Sequence, residues 1–135
     1  QSIALYRPEP QRVFETEPIS NLVSILVDVV EQGTGKNARL PNRLVAGKTG
    51  TTDEVRDIWF SGFTPDMAAV VWMGNEKYVP LKGVFSSNAA KVWHDFSEKY
   101  YQINPVPPNE FAFLPSKKLP VSKPKPGETA GLGEE

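Results

Sequence analysis

Cysteine is absent from the 135 residues and histidine occurs once, at His94. A disulfide framework, a thiol nucleophile and a zinc site built from Cys and His ligands are therefore excluded, while the redox compartment stays open. An excess of charge of one sign is missing as well. Fifteen basic residues stand against 16 acidic ones, a net charge of −1, so no global positive field draws nucleic acid or polyphosphate to this chain. Long apolar runs are lacking too, since the best stretch, Leu22 to Val30, is broken by Ser24 and Asp28 and is too short to cross a bilayer. The chain opens on Gln1 rather than methionine and shows no leader of charged, apolar and small residues, and the expectation is a processed product or a piece of a longer protein.

What is present is unevenly spread. Seven of the 13 prolines follow Asn104, which sets an expected boundary between a domain over 1–104 and a proline-rich tail over 105–135. From Ser116 to Glu135 there are too few apolar groups to offset the entropy of ordering, so that stretch is expected to be flexible. Phe111, Phe113 and Leu114 are candidates to anchor the preceding strip back onto the domain. Lys123-Pro124-Lys125-Pro126 reads as an exposed spacer.

Within the domain two periods alternate. Ile3 to Tyr6 is a short extended piece. Thr16-Glu17-Pro18 opens a helix whose apolar residues Ile19, Leu22, Val23, Leu26, Val27 and Val30 fall on one face, with Gly33 as its stop. The glycine-rich, β-branched run from Gly47 to Thr52 reads as a strand. Ile58 to Phe63 and Met67 to Trp72, joined by Thr64-Pro65-Asp66, read as an antiparallel pair. The second of these runs is almost continuously apolar and is expected to be covered on both faces. Ser87 or Asn88 caps a last helix in which Ala89, Val92, Trp93, Phe96 and Tyr100 share the inner face. The expected class is α/β of the α+β kind, an antiparallel sheet with helices packed on it. Trp59, Trp72 and Trp93 are assigned to core packing, and His94 to the solvated face of the last helix. So small a sheet, apolar on both sides, needs more neighbours than two helices supply, and is expected to sit against further chain.

The chemistry is concentrated in Lys48-Thr49-Gly50-Thr51-Thr52. A cation, bare backbone at Gly50 and successive hydroxyls suit a strand that receives a carboxylate: Lys48 supplies charge, Thr49 and Thr51 directional donors, and Gly50 close access. At a sheet edge the same backbone can pair with an extended peptide, and an N–H there can serve a developing oxyanion. The plainer alternative is a strand with a solvent-facing lysine and threonines selected for β-propensity.

The stretch from Glu31 to Asp66 resembles the C-terminal part of the transpeptidase domain of class A penicillin-binding proteins. Gln32-Gly33-Thr34-Gly35-Lys36, Ala46-Gly47-Lys48-Thr49-Gly50-Thr51-Thr52 and Asp57-Ile58-Trp59-Phe60-Ser61-Gly62-Phe63 carry the likeness. The resemblance implies the penicillin-binding, serine β-lactamase-like fold. It implies that Lys48, Thr49, Gly50 and Thr51 contact the terminal carboxylate of a D-Ala-D-Ala stem peptide or of a penicillin, with the Thr51 N–H as an oxyanion donor. Asp57, Trp59 and Phe60 match positions that hold the next strand in place. It further implies serine acylation and peptidoglycan cross-linking without metal or cofactor, a setting on the outer face of the cytoplasmic membrane, and an upstream anchor and glycosyltransferase domain.

One departure weighs heavily. The family's Ser-x-x-Lys and Ser-x-Asn motifs precede its Lys-Thr-Gly strand, and neither stands upstream of Lys48. The downstream matches, Ser122-x-x-Lys125 and Ser86-x-Asn88, are decoys: Pro124 bars the helix that would align Ser122 with Lys125, and Ser86 to Asn88 reads as a helix cap. The nucleophile is thus expected outside this chain, which alone should not acylate. Two readings compete. A noncatalytic domain that binds cell-wall peptide or a protein partner would explain the missing nucleophile. Nucleotide binding is suggested by Gly47-Lys48-Thr49, but Asn42 stands where a phosphate loop needs glycine and no helix follows.

Overall fold

The computed structural model describes residues 11–112. The extended piece at Ile3 to Tyr6, the decoy at Ser122 and most of the expected tail lie outside them. The order is helix α1 (Thr16–Glu31), strands β1 (Ala46–Thr51), β2 (Ile58–Phe63) and β3 (Ala68–Met73), and helix α2 (Ser86–Ile103). The sheet runs β1-β2-β3 and both pairings are antiparallel, so β1 is an outer strand. This is an α+β architecture.

The register decides which residues see the core. Ile58 and Phe60 of β2 turn to the same side as Thr49 and Thr51 of β1 and Val71 and Met73 of β3. That side is covered by α2, through Ala89, Ala90 and Trp93, all fully buried. Trp93 meets the ring of Phe60 edge-on, 5.6 Å between centroids, and its indole N–H donates to the Ala69 carbonyl at 3.0 Å. It can lie this close because β2 carries Gly62, where a Cβ would sit 3.0 Å from the indole and 2.5 Å from Phe60. α1 contributes Val30 to this core, while Val23 and Val27 join Ala46, Phe63 and Phe111 in a second cluster at the end of the opposite face. α1 therefore lies alongside β1 rather than over one face of the sheet.

Two expectations are corrected here, and a third is met in part. On α2, Val92 and Phe96 are exposed, and Ala90 and Ser97 are buried in their stead; small side chains win the inner face because the helix packs close to the sheet. Of the three tryptophans only Trp93 is core. Trp59 and Trp72 are 41% and 52% exposed, facing each other at 6.2 Å on the side away from α2. Among the described residues β3 is covered on one face, with Val70 exposed and Val71 half-buried, and cover for the other face would have to come from further chain. Among the described residues that second face is open beyond the Phe63 and Phe111 cluster.

Residues 105–112 pack back onto the domain. Arg43, stacked over the Tyr101 ring at 3.7 Å, donates to Asp66 at 2.9 Å and to the Val106 carbonyl. Asn109 donates to the other Asp66 oxygen at 2.8 Å, and Phe111 meets Phe63 edge-on at 5.7 Å. Residues 113–135 lie outside the described set.

Candidate carboxylate-binding strand

β1 pairs with a strand on one side only, among the described residues. Alternation then distributes its side chains. Lys48, opposite Ser61, and Gly50, opposite Trp59, face the open side of the sheet; Thr49, opposite Phe60, and Thr51, opposite Ile58, take the other. Lys48 is exposed, and its ammonium donates to the carbonyl of its own neighbour Thr49 at 2.9 Å. Thr51 is exposed at the strand's end. Thr49 is 8% exposed, with its hydroxyl 2.8 Å from that of Thr34. Lys48 and Thr51 are thus available at the surface, whereas Thr49 is tucked between the sheet and the segment after α1.

The connection that follows is tightly held. The Thr52 hydroxyl accepts the Asp57 N–H at 2.8 Å, and the Asp57 carboxylate accepts the Trp72 indole N–H at 2.8 Å. Asp57 therefore ties the end of β1 to both later strands. Between them Glu54 and Val55 adopt left-handed φ values of 57° and 53°, a costly conformation for a β-branched residue and one that surrounding bonds must enforce.

The other singled-out residues are placed elsewhere. Ser86 stands in the first turn of α2, and the Asn88 side chain accepts the Phe85 N–H at 2.8 Å, a capping role. His94 is not simply solvated: its side chain is 21% exposed, Nδ1 contacts the Arg39 carbonyl and Nε2 lies 3.4 Å from Glu98. With Asp95 these form the one group of three side chains among the described residues whose ligand atoms lie close enough to hold a metal ion, on α2 beside the Arg39 carbonyl. Two features were missed in the sequence. Thr34, the partner of Thr49, lay in the Gln32-Gly33-Thr34-Gly35-Lys36 run, which carried the family resemblance but was given no role at the site. The Arg43, Asp66 and Tyr101 network joins residues far apart in the chain and leaves no local pattern.

Residues 6–92 match the family described as the penicillin binding protein transpeptidase domain. The chain is 42% identical over 73 residues to penicillin-binding protein 1A of Clostridium botulinum strain Langeland, covering 54% of this chain and 9% of that one. It is 34% identical over 117 residues to penicillin-binding protein 1A of Aquifex aeolicus, covering 85% of this chain and 16% of the relative. Against penicillin-binding protein 1B of Escherichia coli K12 the identity is 29% over 109 residues, 78% of this chain and 13% of the other. The chain spans less than a fifth of the length of these curated relatives.

Proposed function

Because the chain belongs to the transpeptidase family of penicillin-binding proteins, we propose that β1 forms one wall of an acyl-transfer site completed by other parts of a longer protein. There the terminal carboxylate of a D-Ala-D-Ala stem peptide lies at the free edge of β1, met by the Lys48 ammonium from one side of the strand and by the exposed Thr51 and largely buried Thr49 hydroxyls from the other, while Gly50 admits the ligand to the backbone. A serine outside this chain attacks the penultimate carbonyl, and the Thr51 N–H serves the oxyanion. The C–N bond breaks, D-alanine leaves with the proton, and an ester remains. The amine of a neighbouring stem peptide then displaces the serine, closing the cross-link. A penicillin enters the same route, its ring opening on the serine without loss of a fragment.

The observation that carries this reading is the place of Lys48-Thr49-Gly50-Thr51 on an outer strand with Lys48 exposed. In this reading residues 1–104 are the C-terminal portion of the transpeptidase domain and 105–135 a proline-rich tail. The open face bearing Trp59, Val70 and Trp72 rests on the remainder of the same protein. The setting is the extracytoplasmic face of the cytoplasmic membrane, with anchor and glycosyltransferase domain elsewhere on the polypeptide. Among the described residues no helix is long and apolar enough to cross a membrane.

Labelling with a fluorescent penicillin tests the assignment. In the longer protein Lys48→Ala should slow acylation by the equivalent of about 1.5–3 kcal/mol, the worth of a hydrogen bond to a charged group. The isolated chain should take up no label. Undiminished labelling of the Lys48→Ala protein, or an adduct on Ser86 or Ser122, would refute it.

A further inference from the structure

The geometry points to Thr34 as a positioning residue that sets the hydroxyl of Thr49 for carboxylate recognition; this rests on the reading of β1 given above. Gly33-Thr34-Gly35 follows α1, and the N–H groups of both glycines donate to the same Val29 carbonyl at 3.0 Å. A Cβ on Gly33 would lie 2.9 Å from that oxygen, and one on Gly35 would lie 3.2 Å from Val30 and 3.3 Å from the Phe60 ring. The two glycines thus fold the segment tightly against the end of α1 and against Phe60, the residue that pairs with Thr49 across the sheet. Thr34, held between them, is delivered to Thr49 with 2.8 Å between hydroxyl oxygens.

Proton bookkeeping gives this contact a direction. Each hydroxyl has one proton to donate, and in the free strand either one can be the donor. A carboxylate only accepts. To bind one, Thr49 must donate its own proton, and the bond to Thr34 survives only if Thr34 then donates. Thr34 is exposed and therefore open to solvent, whereas the nearly buried Thr49 has no other hydroxyl bonded to it among the described residues. Thr34 thus fixes the Thr49 rotor and, as donor, polarises it toward the ligand.

The test measures the second-order rate of acylation by benzylpenicillin in the longer protein that carries this chain and its attacking serine. Thr34→Val should acylate about three- to tenfold more slowly, the effect of losing one neutral hydrogen bond. Thr34→Ser should restore the rate, and Thr34→Val should cost nothing further in a Thr49→Val background. An unchanged rate in Thr34→Val, an equal loss in both backgrounds, or no rescue by serine would each overturn the inference. Failure of the unaltered protein to acylate would sink the reading of β1 and this inference with it, a result distinct from variants that match an active parent.

Discussion

Tyr101 shows how much one hydroxyl can join. Its phenol lies 2.6 Å from the Thr64 hydroxyl and 3.3 Å from an Asp66 oxygen, with Arg43 stacked on its ring. Burial raises its pKa above the ordinary tyrosine value, against the opposing pull of the Thr64 bond, and the Asp66 carboxylate adds to the rise. An absorbance titration of tyrosinate should therefore show that the phenol lost in Tyr101→Phe is one that ionises late; a difference spectrum with an ordinary midpoint would contradict this. A folded-state pKa above the unfolded one stabilises the fold fully below the unfolded value near pH 10, and that contribution fades as pH climbs through the folded value. Little at this scale was legible beforehand. Lys48-Thr49-Gly50 stood out because its residues are consecutive, whereas Arg43, Asp66 and Tyr101 are each unremarkable in their own surroundings.

Elements were easier to read than their orientations. Hydrophobic period located both helices, and turn chemistry at Thr64-Pro65-Asp66 located the hairpin of β2 and β3. The inner face of α2 was misjudged because apolar Val92 and Phe96 compete with small Ala90 and Ser97, and periodicity carries no information on how near the sheet will come. The contact of Trp93 with Gly62 settles that distance. Gly62→Ala should destabilise the domain by about 1–3 kcal/mol, the range for overpacking a well-filled core. Trp93→Ala should cost about 3–5 kcal/mol, as aromatic truncation in a core does. Both are read from thermal or denaturant unfolding, and a neutral Gly62→Ala would mean that α2 can retreat from β2.

For the molecule as a whole, the open face of the sheet is the feature that composition foresaw only in part. An apolar β3 implied cover on both sides; the described residues supply one. In the longer protein, versions retaining only Trp59 or only Trp72 should resist acrylamide quenching nearly as well as one retaining Trp93, and rapid quenching would show that the face stays wet. The opposite end of the chain carries a practical lesson. Proline density set an expected border after Asn104 with Phe111 a candidate anchor beyond it, and Phe111 sits 7% exposed against Phe63 in the cluster with Val23, Val27 and Ala46. A polypeptide trimmed at the close of α2 would lose a plug from its own interior and the Asn109 tether on Asp66 along with it, whereas one that runs through residue 112 keeps both.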